Sequence, residues 1–157
     1  MKLSTRATYT ARAMLDLALH FNEGPILIRD ISKRQQISER YLEQLFIPLR
    51  LARLVTSIRG AHGGFSLSKV PSDIRFSEIV KVTEGSIVPV DCSDDPLICE
   101  GSIDECVICD VWSEVKKAMD RVFDSITLQD LVDMQKEKSG LTRQRDRDNV
   151  LHTSILD

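Results

Sequence analysis

Residues 38–68 read SERYLEQLFIPLRLARLVTSIRGAHGGFSLS, and this stretch decides the fold. Ser38 is a suitable N-cap for a helix whose apolar residues recur at the spacing of one buried face. After that helix, two short segments of alternating polar and apolar residues flank a glycine-rich run, which is typical of a two-stranded hairpin. A helix followed by such a hairpin predicts the recognition helix and wing of a winged helix-turn-helix domain, in which the helix enters the major groove of DNA.

The segments on either side of this stretch complete the same domain. Upstream, residues 4–21 carry an apolar helical stripe, and residues 31–35 carry a second, shorter one. Downstream, residues 72–83 form another helical pattern, which Gly85 ends. The sequence therefore predicts a mainly α fold with a small β-wing, in which residues 1–84 are a winged helix-turn-helix DNA-binding domain.

Pro48 interrupts the pattern of the expected recognition helix. Proline lacks the backbone N–H and clashes with the preceding turn, at a cost of about 3 kcal/mol inside a helix. We therefore expect a kink or a break at this residue. In one arrangement the recognition helix ends near Ile47 and Pro48 lies in the first turn of a separate segment. A kinked but continuous helix is the other arrangement.

The charge of the chain is distributed unevenly. Residues 1–75 carry 12 lysines and arginines against 6 acidic residues, whereas residues 76–157 carry 9 against 18. A basic segment attracts DNA phosphates, and an acidic one is repelled by them. We therefore expect a double-stranded DNA operator to bind the N-terminal half. No apolar run is long enough to span a membrane and no secretory signal pattern is present, so a cytoplasmic location is expected.

The expected recognition helix and hairpin carry side chains suited to reading bases. Arginine suits guanine, glutamine suits adenine, and glutamate accepts a hydrogen bond from cytosine while phosphate repels it. Arg59 lies beside glycines that allow the backbone to approach a narrow minor groove. The predicted DNA-binding residues are Ser38, Arg40, Tyr41, Glu43, Gln44, Arg59, Gly60, Gly63 and Gly64. A merely solvated helix face is the alternative for the helical residues of this set.

A segment at residues 85–110 contains all four cysteines and no lysine or arginine. The predicted metal ligands are Cys92, Cys99, Cys106 and Cys109. Clustered thiols in a cytoplasmic protein indicate metal or redox chemistry rather than disulfides, and thiolates select zinc, copper(I) or iron-sulfur clusters. Structural zinc sites usually have two close ligand pairs, whereas iron-sulfur ligation tolerates the longer gaps found here. A zinc site and a set of small buried cysteines are the alternatives.

A long helix with one apolar face follows the cysteine segment. Its apolar stripe is formed by Val111, Trp112, Val115, Met119, Val122, Phe123 and Ile126. A face of this length needs another surface to bury it, so we predict a homodimer joined through it. Thr127 and Asp130 resemble the capping box of a further short helix, so residues 111–138 form a dimerisation arm. Residues 139–157 are predicted to be a disordered tail because they are rich in charged residues.

Together these motifs resemble a known family, the IscR-type iron-sulfur cluster regulators of the winged-helix group of iron, nitric-oxide and cluster-sensing repressors. The resemblance rests on MKLS at residues 1–4, AMLD at 13–16, YLEQLF at 41–46, VTSIRG at 55–60 and the cysteine segment. It implies a homodimer joined through the long helix and a 2Fe-2S cluster held by three cysteines and a fourth ligand. It also implies that the cluster-bound form represses cluster-assembly genes.

By the same resemblance, Cys92, Cys99 and Cys106 are the three cysteine ligands, and Cys109 stands in the place of the family's usual histidine. A thiolate there gives an all-cysteine site, which is more anionic and lower in reduction potential than a site with histidine. It also leaves a 4Fe-4S cluster or zinc as alternatives to 2Fe-2S.

The function predicted from the sequence is therefore an iron-sulfur-cluster-sensing DNA-binding repressor. One alternative is a nitric-oxide or iron sensor with a 4Fe-4S cluster, and another is a zinc-stabilised winged-helix dimer without redox sensing. No pairing of a nucleophile with a base is visible in the sequence, so no enzymatic activity is expected.

Overall fold

The computed structural model describes residues 3–60, 63–85 and 107–153, and the structural statements below concern these residues. The helices are α1 (Thr5–Leu19), α2 (Ile28–Gln35), α3 (Glu39–Leu51), α4 (Phe76–Glu84), α5 (Val107–Ser125) and α6 (Leu128–Thr153). The strands are β1 (Val55–Ile58) and β2 (Gly64–Leu67). This order confirms the predicted class, a mainly helical winged helix-turn-helix with a small β-wing. None of the described helices is long and apolar enough to cross a membrane.

Local caps set the ends of the first three helices. The Ser4 hydroxyl accepts a hydrogen bond from the Ala7 N–H at 3.1 Å, and the Ser38 hydroxyl accepts one from the Tyr41 N–H at 3.3 Å. Each serine thus satisfies one of the backbone donors that a helix leaves unpaired at its start. Gln36 has a φ of 55° and ends α2 in the left-handed conformation. These caps produce the tight turn between α2 and α3.

The core lies between α1, α2, α3 and α4, and the start of α6 closes it. Burial of a large apolar side chain contributes about 1.5 to 3 kcal/mol, so such a cluster holds α3 firmly by its inner face. The largest fully buried side chains are Met14, Leu17, Ile31, Leu42, Leu45, Phe46, Leu49, Leu54, Val55, Ile74, Ile79 and Leu128.

At Pro48 the structure agrees with the continuous arrangement, because α3 passes through this residue as one helix and does not end near Ile47. Proline removes one donor, the N–H that would have reached the carbonyl of Gln44. The next turn still closes, since the Ala52 N–H donates to the Pro48 carbonyl at 2.9 Å. Leu49 is fully buried, and the burial of this side chain in the last turn offsets the lost hydrogen bond.

The wing is a two-stranded antiparallel hairpin that is also attached to the segment before α2. In its register Ser57 lies opposite Phe65. Phe65 also exchanges two hydrogen bonds of 2.8 Å with Ile26, which precedes α2. Because an isolated hairpin is only marginally stable in water, this bridge to the helical domain fixes the base of the wing.

A short backbone ladder attaches the C-terminal helices to the DNA-binding domain. The Phe76 N–H donates to the Ile126 carbonyl, and the Leu128 N–H donates to the Ile74 carbonyl, both at 2.8 Å. The guanidinium of Arg75 donates to a carbonyl in the last turn of α5. Since Leu128 and Ile74 are fully buried, the α5–α6 junction is part of the core rather than an independent arm.

Two predicted boundaries differ from the structure. Helix α5 begins at Val107, inside the predicted loop at residues 85–110, because Val107 and Ile108 extend the apolar stripe by one turn. Helix α6 continues to Thr153, across the first part of the predicted disordered tail at residues 139–157. Residues 139–153 contain no proline and one glycine, so few of them oppose a helix.

Candidate DNA interface, cysteine segment and α5 face

The first half of α3 presents polar side chains to solvent. Arg40, Glu43 and Gln44 are exposed, whereas Leu42 and Leu45 are buried in the core. The structure thus brings together on one helix face the three side chains that the sequence assigned to base reading. Their contacts with bases stay a prediction.

Tyr41 has a packing role that the sequence analysis did not find. Its ring is half-buried and meets the ring of Tyr9 edge to face, with centroids 5.9 Å apart. The guanidinium of Arg12 lies 5.7 Å from the centroid of the Tyr9 ring. Edge-to-face aromatic pairs stabilise a contact by about 0.5 to 1.5 kcal/mol beyond their burial. Tyr41 therefore fastens the first turn of α3 to α1.

A buried carboxylate holds α2 against α1. Asp16 is 1% exposed and accepts hydrogen bonds from Arg34 Nη2 at 2.7 Å and from Gln35 Nε2 at 3.0 Å. The hydrogen bond to Asp16 raises the pKa of Arg34 above its usual value, against the lowering effect of desolvation. Because burial of an unpaired carboxylate is costly, this pairing holds the last turn of α2 on α1. The sequence feature that could have revealed this pairing was an aspartate on an otherwise apolar helix face.

The wing turn depends on glycine at two positions for steric reasons. A Cβ on Gly63 would lie 2.3 Å from the carbonyl oxygen of Ile58, and one on Gly64 would lie 2.4 Å from that of Ile26. Gly63 also donates to the Gly60 carbonyl at 2.9 Å, which closes the described part of the turn. The packing of the hairpin therefore requires both glycines whether or not DNA is present.

Arg59 and Gly60 lie at the tip of the described hairpin. Arg59 directly follows β1 and is exposed, and Gly60 is exposed with a φ of 116°. This backbone conformation favours glycine, as the sequence analysis expected for the wing. A minor-groove contact by Arg59 remains a prediction.

The wing and the recognition helix are joined by an aromatic stack that the sequence analysis missed. Phe65 in β2 lies parallel to Phe46 in α3, with centroids 4.3 Å apart and an angle of 14° between the rings. Alternation predicted that Phe65 is an apolar residue of the strand, but a local pattern does not identify its partner across the fold. Because of this stack, α3 and the hairpin form one unit.

The end of α4 is tied to the start of α1. The Ser4 hydroxyl, which caps α1, also donates a hydrogen bond to the carboxylate of Glu84 in the last turn of α4. Glu84 directly precedes Gly85, the first residue of the predicted cysteine segment. A contact therefore ties the residue that directly precedes that segment to the helix whose Tyr9 supports α3.

Of the predicted metal ligands, Cys109 is described and the other three are not. Cys109 is half-buried in the first turn of α5 rather than in a loop. Cys92, Cys99 and Cys106 lie outside the described residues. Among the described residues, no group of three or more His, Cys, Asp or Glu side chains is arranged to hold a metal ion. The four-cysteine ligand set remains a prediction.

The apolar face of α5 divides into two edges. Val111, Val115 and Val122 are exposed, by 54%, 36% and 55% respectively. Phe123 lies against Phe76 of α4, with ring centroids 5.7 Å apart. The half-buried residues on the predicted dimer face are Trp112, Met119, Phe123 and Ile126. One edge therefore packs on the DNA-binding domain of the same chain, and the other is uncovered in the described part of this single chain.

Comparison with known proteins places this architecture among transcription regulators. The model of the Rrf2 family, described as an iron-dependent transcriptional regulator, matches residues 3–134. Protein rrf2 of Nitratidesulfovibrio vulgaris is 41% identical over 132 residues, which cover 84% of this chain and 87% of that protein.

Two solved structures have the same fold. The structure of CymR from Bacillus subtilis, the global cysteine regulator, has a TM-score of 0.74 at 39% identity and covers 85% of this chain and 98% of its own. That of T. potens IscR has a TM-score of 0.73 at 43% identity and covers 88% of this chain and 90% of its own. These similarities extend through the DNA-binding domain and beyond it.

Proposed function

This chain belongs to the Rrf2 family of DNA-binding transcription regulators and is not an enzyme, and from that premise we propose that it is a homodimeric repressor that senses iron-sulfur cluster status. The single observation that carries the sensing proposal is the run of four cysteines within residues 92–109. An iron-dependent family gives these thiols a function that buried, unliganded cysteines would not have.

The proposed reading unit is α3 together with the wing. Arg40 and Gln44 have the donors that recognise guanine and adenine in the major groove, and Glu43 accepts from cytosine and disfavours other bases. Arg59 extends from the wing toward the minor groove. The Phe46–Phe65 stack supports this proposal, because it keeps helix and wing at a fixed distance and so allows both grooves to be read at once.

The uncovered edge of α5 is the proposed dimer contact. Its exposed valines are joined at the start of the helix by Val107 and Ile108, which are 71% and 63% exposed. A contiguous exposed apolar stripe of this length on one helix is the usual mark of a protein interface. A second copy of the same helix covers it most simply, since an isologous contact buries identical surfaces. Two reading units in one dimer would then bind two half-sites.

The donor set fits a thiolate-bound cluster. Cys109 is accessible at the first turn of α5, where the positive end of the helix dipole favours an anionic ligand. We assign Cys92, Cys99, Cys106 and Cys109 as the ligands of a 2Fe-2S cluster, with 4Fe-4S or zinc as the alternative occupants. When bound, the cluster supplies a chemistry that responds to iron supply and oxidation.

The contacts of this chain provide a route from the cysteine segment to DNA. Glu84 accepts from Ser4 at the cap of α1, and Tyr9 of α1 packs on Tyr41 of α3. A change of order at the cysteine segment would therefore alter the support of the recognition helix. DNA affinity responds only if the two states differ in free energy on DNA, and a change in the support of α3 would supply such a difference.

A second candidate function is favoured by one observation. The structure of the Bacillus subtilis global cysteine regulator is as similar to this chain as the IscR structure is. On this alternative, the chain regulates genes of cysteine metabolism and its thiols hold no cluster. The two candidates share the DNA-binding unit and the dimer, and they differ in what the cysteines bind.

Metal analysis of anaerobically purified protein separates these candidates. The 2Fe-2S proposal requires red-brown protein with about two iron and two sulfide per chain, and a 4Fe-4S sensor requires about four of each. Colourless protein with about one zinc per chain would indicate a structural zinc site and would contradict the sensing proposal. Metal-free protein with full DNA affinity would contradict the cluster proposal and favour the cysteine-linked candidate.

A further inference from the structure

The exposed face of α3 continues beyond the predicted reading residues. At the angular spacing of an α-helix, Ile47 and Leu51 lie on the same face as Arg40 and Gln44. Ile47 is 57% exposed and Leu51 is 81% exposed, although both are large apolar side chains. The inner face of the helix is already filled by other residues, so the core does not explain these two. The face is therefore polar in its first half and apolar in its second.

The path through Pro48 keeps the two halves in line. Because α3 is one helix from Glu39 to Leu51, Ile47 follows Arg40 by seven residues. At about 1.5 Å per residue, this is about 10 Å along the helix, or about three base pairs of DNA at 3.4 Å each. A helix that contacts bases through Arg40 and Gln44 thus brings Ile47 within reach of the same stretch of major groove.

The surroundings of Ile47 are suited to DNA rather than to a protein core. A cavity of about 440 Å³ between α3 and β1 is lined by Ile47, Arg50, Leu51, Val55, Thr56 and Ser57. None of these described lining residues is acidic, and Arg50, Thr56 and Ser57 are exposed donors of the kind that contact phosphate. The apolar side chains therefore lie between base-reading groups and phosphate-binding groups.

We propose that Ile47 is a further base-reading residue that contacts the C5-methyl group of a thymine in the operator. Thymine is the base whose major-groove edge carries an apolar group, and aliphatic side chains recognise it by contact. The contact covers a side chain that is otherwise exposed to water. This inference rests on the proposed placement of α3 in the major groove, and it adds a specificity that Arg40, Glu43 and Gln44 do not supply.

Removal of the methyl group from the DNA tests the contact directly. The operator is first selected from random duplexes with the wild-type dimer, and each thymine of a half-site is then replaced by deoxyuridine. Wild-type protein should bind one substituted duplex about four-fold more weakly, which corresponds to the 0.8 kcal/mol of one buried methyl-sized group. Ile47→Ala should bind the thymine and deoxyuridine forms of that duplex equally. Since Ile47 is exposed, the thermal unfolding of the Ile47→Ala variant should match that of wild type.

The controls separate this inference from the placement on which it rests. Val70 is also exposed and lies on the α6 side of the molecule, so Val70→Ala should retain the sensitivity to deoxyuridine. Gln44→Ala should weaken binding to the operator at least five-fold and leave binding to random duplex unchanged. If Gln44→Ala weakens binding to the operator and to random duplex equally, the placement of α3 in the major groove is wrong. If Gln44→Ala behaves as expected but Ile47→Ala keeps the full deoxyuridine effect, the thymine contact alone is overturned.

Discussion

Gly64 shows how one residue fixes the position of the wing. Its φ is 152°, and a Cβ there would lie 2.4 Å from the backbone oxygen of Ile26, the residue that bridges to β2. Any side chain would push the hairpin away from the helical domain. The adjacent Phe65 would then leave its stack on Phe46. A single glycine thus determines the distance between wing and recognition helix.

We expect Gly64→Ala to lower the free energy of unfolding by about 3 kcal/mol or more, because backbone strain adds to a collision with the Ile26 carbonyl. Gly24 is the matched control, since its φ is 84° and no atom lies within 4 Å of its added Cβ. Gly24→Ala should cost less, about 1 to 3 kcal/mol, because a positive φ with a ψ of −162° is strained for any side chain but meets no collision there. Urea denaturation of both variants measures the difference, and equal losses would mean that the close approach to Ile26 is unimportant.

Interactions of single residues were predicted correctly from the sequence where the two interacting residues are close along the chain. Ser38 was predicted as the cap of the recognition helix and is its cap, and Thr127 with Asp130 was predicted as a capping box and forms one. The Phe46–Phe65 stack and the Asp16–Arg34 pair were not predicted. Their partners are 18 or more positions apart, and only the folded topology brings them together.

At the scale of elements, the capping box of α6 is a small pH-dependent contribution to stability. The Thr127 N–H and hydroxyl both donate to Asp130 Oδ2, at 2.8 and 2.7 Å, and hydrogen bonding to Thr127 lowers the pKa of Asp130. A carboxylate with a lowered pKa stabilises the fold above its unfolded pKa, and this stabilisation is lost as pH falls through the folded pKa. The start of α6 should therefore loosen in acid.

Asp130→Asn should accordingly destabilise the protein at pH 7 and have almost no effect below the lowered pKa of Asp130, where the wild-type carboxyl is also neutral. Chemical denaturation at pH 7 and at progressively lower pH measures the two variants side by side. Glu137→Gln, at an exposed position of the same helix, is the control for the removal of one negative charge. A constant difference between wild type and Asp130→Asn at every pH would contradict the role of the charge.

Pro48 shows why element boundaries were harder to predict than the elements themselves. The sequence predicted the recognition helix, but it left a kinked helix and a broken helix at the proline as alternatives. The tertiary burial of Leu49 one residue later favours the continuous helix. Helix α5 also begins earlier than the pattern starting at Val111 indicated, at the exposed Val107. Local patterns thus identify an element more readily than they identify its ends.

At the scale of the whole molecule, the exposed edge of α5 should control oligomeric state. Val111→Glu with Val115→Glu would place two charges in the proposed interface. The dimer dissociation constant should rise about 1,000-fold, since the exposed part of each valine contributes about 1 kcal/mol and the two copies together bury four such valines. Analytical ultracentrifugation measures this, and Lys117→Glu on the opposite face of α5 is the control. A variant that stays dimeric would show that another surface joins the protomers.

Contacts between elements that are distant along the chain are not visible in the sequence. Composition and periodicity predicted a basic and an acidic half, the winged fold and the order of its elements. The tie between the DNA-binding domain and the C-terminal helices was not, because the ladder that pairs residues 74–76 with 126–128 links segments about 50 positions apart. That ladder makes α5 continuous with the core of the DNA-binding domain.

Dimerisation and sensing should nevertheless be separable, because the proposed interface lies on α5 whereas three of the proposed ligands precede it. Cys99→Ala should give colourless protein that sediments as the wild-type dimer, and its DNA affinity should no longer change between iron-replete and iron-depleted preparations. Ser93→Ala, in the same segment, is the matched control and should keep both colour and response. If Cys99→Ala is monomeric, the bound metal holds the dimer together, and α5 cannot be the main contact between the two chains.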